Sequence, residues 1–220
     1  VTVAIAVLVR QATLSRRRQN WLQSGEVALN TAVTGDRRTE DLGDSILDFL
    51  TRYTGAVAGA IFVKDDDQFQ RISTWGVPNS ASLPDHFKAK EGLLGEAVTA
   101  GKPIIIEHLP DGYLAFGSAL GADKPRHLMI SPGSIDGAVN SVIELGFLRP
   151  VDDTILTLLD QASASIATAV RSAKYRSDLQ NLLRETQRQA EQLQVQGEEL
   201  RVSNEELEEQ GRALKESQAR

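Results

Sequence analysis

Three histidines, His86, His108 and His127, are the side chains of this 220-residue sequence best suited to chemistry, and there is no cysteine. An imidazole titrates near neutral pH and serves as a proton acceptor or a metal ligand. Acyl-transfer chemistry would need such a base beside a hydroxyl nucleophile and an orienting carboxylate. His108 with Asp111, and Ser118 or Ser131 as nucleophile, are the combinations on offer, and pairings this loose arise by chance among so few histidines. A metal or haem site built on the three histidines would need ligands at short spacing, and no two of them are close in sequence. Neither GxxxxGK[ST] nor GxGxxG occurs, so no phosphate-cradling loop is marked. The lack of cysteine excludes disulfides, thiolate metal sites and thioether attachment of a chromophore. The expectation is a chain without catalytic residues, cofactor or metal of its own.

Charge narrows the partners. The net charge of -6 argues against nucleic acid, which would require clustered lysine and arginine. The charge is uneven: residues 1–25 carry four arginines and no acid, whereas residues 179–220 carry nine acids against six bases. The first nine residues, VTVAIAVLV, are apolar apart from Thr2, and Arg10, Arg16, Arg17 and Arg18 follow. A membrane span takes about 20 apolar residues, so this run is too short alone. Its basic flank nevertheless has the pattern of the cytoplasmic end of a transmembrane helix. Residues 1–18 are therefore read as the end of such a helix with its juxtamembrane segment. The parent would be anchored with this part on the cytoplasmic side of the inner membrane, and the fragment itself would be soluble.

The elements that would position any site follow from periodicity. Gln19 to Val33 is helix-permissive and is broken at Gly35 and Asp36. Leu42, Ile46, Phe49, Leu50 and Tyr53 form the stripe of a core-facing helix over Glu40 to Tyr53, closed by Gly55. Ala56 to Val63 and Phe69 to Trp75 read as a hairpin across an acidic turn. Gly76 to Lys90 is loop, EGLLGEAVTAG is a short helix ended by Gly101, and Pro103 to Glu107 is a strand. Leu109 to Pro125 is irregular. Arg126 to Ser131 and Ala138 to Phe147 are two further strands, with Gly133 to Gly137 as their turn. Strands in hairpins favour an antiparallel sheet in an α+β domain. A helix from Val151, through Ile155, Leu158, Leu159, Ala162, Ile166 and Val170, meets no breaker before the C-terminal segment.

That segment carries Leu179, Leu193, Leu200, Leu207 and Leu214 at sevenfold spacing, broken at Thr186. Leu183, Ala190, Gly197, Asn204 and Gly211 lie four residues after each, so the leucines are d positions and the second series a positions of a coiled coil. Glycine costs about 1 kcal/mol of helix propensity, so the seam is soft at a. An Asn at a can pair with its mate across a parallel dimer and fix register. The glutamates Glu198, Glu199, Glu205, Glu206, Glu208 and Glu209 are read as a solvated exterior.

Three segments together carry a family resemblance: GAVAGAIFVKDDDQFQRISTWG, EGLLGEAVTAGKPIIIEHLP and DGAVNSVIELGFLRPVDDTILTLLDQASASIATAV. In their succession they resemble the GAF family of sensory domains over roughly residues 41–172. The stretch QGEELRVSNEELEEQGRALKESQA is similar to the coil preceding the kinase core in membrane-bound bacterial hybrid histidine kinases, and WLQSG to their entry helix. The resemblance implies an α+β domain with a six-stranded antiparallel sheet and helices on both faces. It would be flanked by an N-terminal signalling helix at 19–40 and a coiled-coil linker at 173–220. It also implies a small-molecule pocket roofed by residues 75–92 and 109–125. Trp75, Phe87, Tyr113, Phe116 and His127 are the candidate lining; the alternative is core packing for Trp75 and Phe116 and a surface position for the rest. The family members that bind cyclic nucleotides carry an Asn-Lys, Phe and Asp-Glu set that is missing here. Phe147 with Asp152 and Asp153 imitates only its tail, and these acids suit the first turn of the exit helix. The implied function is a sensory and signal-relay module of a two-component histidine kinase. It would form a parallel homodimer through Leu179, Leu183, Leu193, Leu200, Asn204, Leu207 and Leu214, and inform an output kinase domain in the same chain. The alternative is a receptor domain whose unidentified small ligand regulates that output.

Overall fold

The computed structural model describes residues 2–78, 83–109, 116–118 and 121–218. The chain divides into two compact units, Val1–Lys174 and Tyr175–Arg220. Helix α1 (Thr2–Val33) is one uninterrupted helix across the boundary expected at residue 18, and α2 is Thr39–Thr54. Strands β1 (Ala58–Asp65) and β2 (Gln68–Trp75) form the expected hairpin. They are followed by β3 (His86–Lys88), α3 (Gly92–Ala100) and β4 (Ile104–Ile106). A small ribbon of β5 (Phe116–Ser118) and β6 (Gly121–Asp123) precedes β7 (His127–Ile135) and β8 (Ala138–Phe147). Helix α4 then runs from Asp153 to Gln218. Among the described residues no helix is long and apolar enough to cross a membrane.

Six strands form one antiparallel sheet in the order β3-β2-β1-β8-β7-β4. Its two faces are built by alternation, since successive side chains of a strand point to opposite sides. Ile61, Val63, Met129, Ile143, Leu145 and Phe147 face a layer made by α1, α2 and the first turns of α4. Ala58, Ala60, Phe62, Leu128, Ile130 and Val142 face the other way, where α3 contributes Leu94 and Ala97.

Local chemistry sets the element ends. Helices α2 and α3 stop at Gly55 and Gly101, each in the left-handed region (φ 78° and 61°), with its N–H bonded to the carbonyl four residues back. The β7–β8 connection is tighter than the turn expected over Gly133 to Gly137. Asp136 and Gly137, both at positive φ (53° and 77°), make a two-residue turn of the kind that matches strand twist. Pro132 and Gly133 are therefore absorbed into β7, with a register shift between Gly133 and Ser134 that leaves Asn140 unpaired as a bulge. The Asn140 amide instead donates to the Ala167 carbonyl of α4 at 2.9 Å, and the Ser163 hydroxyl donates to the Pro132 carbonyl at 3.2 Å.

Helix α1 is seated on this layer. Leu29 is buried, the Tyr53 hydroxyl donates to the Trp21 carbonyl at 2.7 Å, and Arg18 donates to the Thr157 hydroxyl at 3.3 Å. Gly25 marks the closest approach: a Cβ there would stand 2.7 Å from Tyr53 Cε1 and 2.9 Å from Leu158 Cδ1.

Candidate functional site

The face of the sheet away from α1, α2 and α4 is lined by small and aromatic residues. Ala58 pairs with Gly146 and Ala60 with Glu144 across β1 and β8. Phe62 meets Phe87 edge to face at 5.2 Å, and Phe87 stacks on Phe69 at 5.1 Å. Phe116 packs half-buried against the same layer. Phe87 is itself buried, so its ring is a structural wall within the core of that face.

Of the five residues expected to line one pocket, the four that are described are divided by the sheet. Trp75 pairs with Gly59, whose missing side chain would meet Leu47 and Leu145, and its ring packs on the helix-side core. His127 pairs with Phe147, another helix-side residue, and by register shares its face. The His127 Nδ1 atom is buried without a hydrogen-bond partner among the described residues. Strand parity thus moves Trp75 and His127 away from Phe87 and Phe116; Tyr113 lies outside the described residues. His86 and His108 are exposed, and the described residues hold no cluster of three or more metal-binding side chains.

The polar residue that does occupy this face is Glu144. It sits in the row Thr74–Ala60–Glu144–Ile130–Ile104, which crosses five strands, and is only 6% exposed. The residue is engaged in an interaction within the chain. Nothing in the loop composition points to it. The available signal is a lone acid inside the apolar run VIELGF, on the same parity as Val142 and Gly146.

A cavity of about 470 Å3 opens at the outer edge of this face, lined by Arg71, Ile72, Ser73, Thr74, Val77, Pro78 and Leu83. Arg71 closes it against Asp85, with an ion pair of 2.5 Å and a backbone hydrogen bond of 2.8 Å. On the opposite side, a groove of about 440 Å3 between α1 and α2 is bordered by Arg37, Asp48, Phe49, Arg52 and Tyr53. Burial among these rings pushes the Tyr53 hydroxyl above its ordinary pKa.

The exit helix begins on a cap. The Thr154 N–H donates to Asp152 Oδ1 at 2.7 Å, and this bond holds the Asp152 carboxyl below the usual carboxylate range. Leu158, Leu159, Ala162, Ile166, Val170 and Ala173 are buried against the first unit. In the second unit, Leu179, Leu183, Leu193, Leu200 and Leu207 are 57 to 68% exposed, and Asn204 is exposed with them. The Leu214 side chain lies outside those described. Arg201 is bound within its own helix by Glu198 at 2.6 Å and by Glu205.

This architecture, a six-stranded antiparallel sheet with α3 on one face and the terminal helices on the other, defines a GAF-type domain. The GAF domain family model matches residues 36–171, more than half of the chain, and the protein belongs to that family. Among solved structures, it is similar to the GAF domain of a phosphoenolpyruvate-protein phosphotransferase from Coxiella burnetii. That match has a TM-score of 0.59 and 16% identity, covering 71% of this chain and 96% of the other. An A. aeolicus GAF domain in an inactive state matches with a TM-score of 0.53 and 20% identity, over 72% and 99% of the two chains. The free methionine-R-sulfoxide reductase of Neisseria meningitidis, solved with its substrate, matches at 0.53 and 14%, over 72% and 91%. No curated protein sequence matches.

Proposed function

We propose that this GAF domain is the sensory-relay module of a membrane-bound two-component histidine kinase, a parallel homodimer that passes conformational change through α4 to a C-terminal output domain. The observation that carries this reading is helix α4. One element, Asp153–Gln218, bears both the residues buried on the sheet and a sevenfold series of exposed leucines. Large exposed apolar residues at coiled-coil spacing are stabilised only when a second helix covers them. A second copy in parallel would also set Asn204 against its mate. The contact of Gly25 with Tyr53 and Leu158 supplies an entry point, because α1 there touches both α2 and α4. The arginine flank at residues 10–18 supports a membrane at the N-terminal end of α1 in this reading.

The domain informs an enzyme and does no catalysis of its own. The reductases among its structural neighbours act on methionine sulfoxide, whose oxygen leaves only when two electrons are supplied, and this chain has no cysteine thiol to supply them. Sedimentation equilibrium tests the assembly: the chain is expected to sediment as a dimer, and Leu200→Asp with Leu207→Asp as a monomer with an unchanged domain. A monomer for the unaltered chain at high micromolar concentration would refute the homodimer.

A second reading, a receptor whose small ligand regulates the output, is favoured by one observation: a buried carboxylate, Glu144, on the sheet face that bears the small residues.

A further inference from the structure

We infer that the groove between α1 and α2 binds a small aromatic carboxylate, with Arg37 taking the carboxylate and the Phe49 and Tyr53 rings its body. Neither the relay nor the receptor reading places a ligand here, and the inference stands apart from both. The groove holds about 440 Å3, a volume in the range of small-molecule sites. Its apolar part joins the two helices: Ala32 comes from α1, Phe49 and Tyr53 from α2, and all three are half-buried. The rings are fixed. Tyr53 lies between Trp21 and Phe49, at 4.7 and 5.1 Å, and its hydroxyl is spent on the Trp21 carbonyl, so it offers the groove a ring rather than a donor.

Charge around these rings is unbalanced. Arg52 is paired with Asp48 at 2.7 Å, and the two neutralise each other. Among the described residues no carboxylate pairs with Arg37. Its guanidinium donates to the Ser45 hydroxyl, whose own proton goes to the Asp41 carbonyl at 2.8 Å. A neutral hydroxyl thus orients Arg37 and uses one of its N–H groups, leaving its charge and its other donors for a ligand. The planar fork matches the two oxygens of a carboxylate, and charge-assisted hydrogen bonds of this kind are about twice as strong as neutral ones. A cation would meet the like charge of Arg37. A wholly polar anion would leave the Phe49 and Tyr53 rings unused, whereas an aromatic body packs on them.

The test uses the whole chain at pH 7, titrated calorimetrically with phenylacetate and with its neutral isostere phenylacetamide. The acid is expected to bind about fivefold more tightly than the amide, the margin of a well-formed ion pair at an exposed arginine. Arg37→Gln is expected to erase that margin, and Arg149→Gln, at an exposed arginine outside the groove, to leave it. Equal affinities for the two probes, or a margin that survives Arg37→Gln, would overturn the inference, as would binding of neither probe at millimolar concentration. Binding by Leu200→Asp with Leu207→Asp but not by the unaltered chain would give the groove to a second copy and overturn it as well. If Arg37→Gln does not fold, the acid-to-amide ratio of the unaltered chain decides, and a ratio near one overturns the inference. Sedimentation of the chain without probe reads the dimer separately, so the two readings fail independently.

Discussion

Gly25→Ala measures whether α1 is pressed against the exit helix. In an exposed helix the change would stabilise by about 1 kcal/mol, because alanine is the better helix former. Here the new methyl would stand 2.7 Å from Tyr53 Cε1, 3.2 Å from Tyr53 Cζ and 2.9 Å from Leu158 Cδ1. Carbon atoms rest at about 3.5–4.0 Å. Neither neighbour gives easily. The Tyr53 ring is held by its bond to the Trp21 carbonyl and lies 4.7 Å from the ring of Trp21 and 5.1 Å from that of Phe49. Leu158 is fully buried. Overpacking of this kind costs about 1–3 kcal/mol, so the balance is a net loss of about 1 kcal/mol. Urea unfolding followed by tryptophan fluorescence reads it, since Trp21 lies on Tyr53 and Trp75 packs on the same layer. In a Leu158→Ala background one obstacle is gone, and the penalty should shrink by about 0.5 kcal/mol or more, as expected for residues in contact. If Gly25→Ala stabilises by about 1 kcal/mol in both backgrounds, the helix is not seated there and the relay loses its entry point.

Asn204→Leu should raise the thermal stability of the coiled coil and tighten the dimer, because a buried polar a position trades stability for register; an unchanged melting profile and oligomeric state would refute the a assignment. Asp152 predicts a pH dependence. Its folded pKa is lowered, so its contribution is complete above the unfolded carboxyl value of about 3.9 and is lost as pH falls through the lower folded value. Asp152→Asn keeps a capping side chain but not the charge. Its deficit against the unaltered chain should therefore hold constant from pH 6 to about pH 4 and shrink as pH falls further, and a deficit that stays constant below pH 4 would refute the charge effect. Phe62→Ala should cost about 3–5 kcal/mol in urea unfolding, because that ring is buried and fixed edge-on to Phe87; a loss under 1 kcal/mol would show the α3 face to be loosely packed.

Much of the fold was legible because each element carries its own punctuation. The α2 stripe ends at Gly55, α3 at Gly101, and the acidic turn joins β1 to β2, all at or near the expected positions. What escaped was short or dependent on distant partners. β3 has three residues, and it is held by pairing Phe87 with Phe69, which no local pattern displays. The end of β7 was obscured by Pro132 and Gly133, which read as turn residues until the bulge at Asn140 accommodates them. The placement of the candidate site residues escaped for a different reason. Aromatic and histidine side chains near loops attract attention, but their side of the sheet is set by register: Trp75 follows Gly59, and His127 follows Phe147. Glu144, surrounded by apolar letters, passed as one polar residue in a strand.

The bulge at Asn140 makes the tip of the β7–β8 hairpin belong to both layers at once. On one side of it Val139 packs into the α3-side core, while immediately beyond, the Asn140 amide holds a carbonyl of α4. Had the strand kept strict alternation from Val142, Asn140 would turn to the α3 face and Val139 to the helix side, and both grips would be lost. The extra residue therefore works as a stitch through the sheet. Deleting it would remove the Asn140 bond to α4 and leave that helix held by the Ser163–Pro132 bond and its buried apolar residues alone.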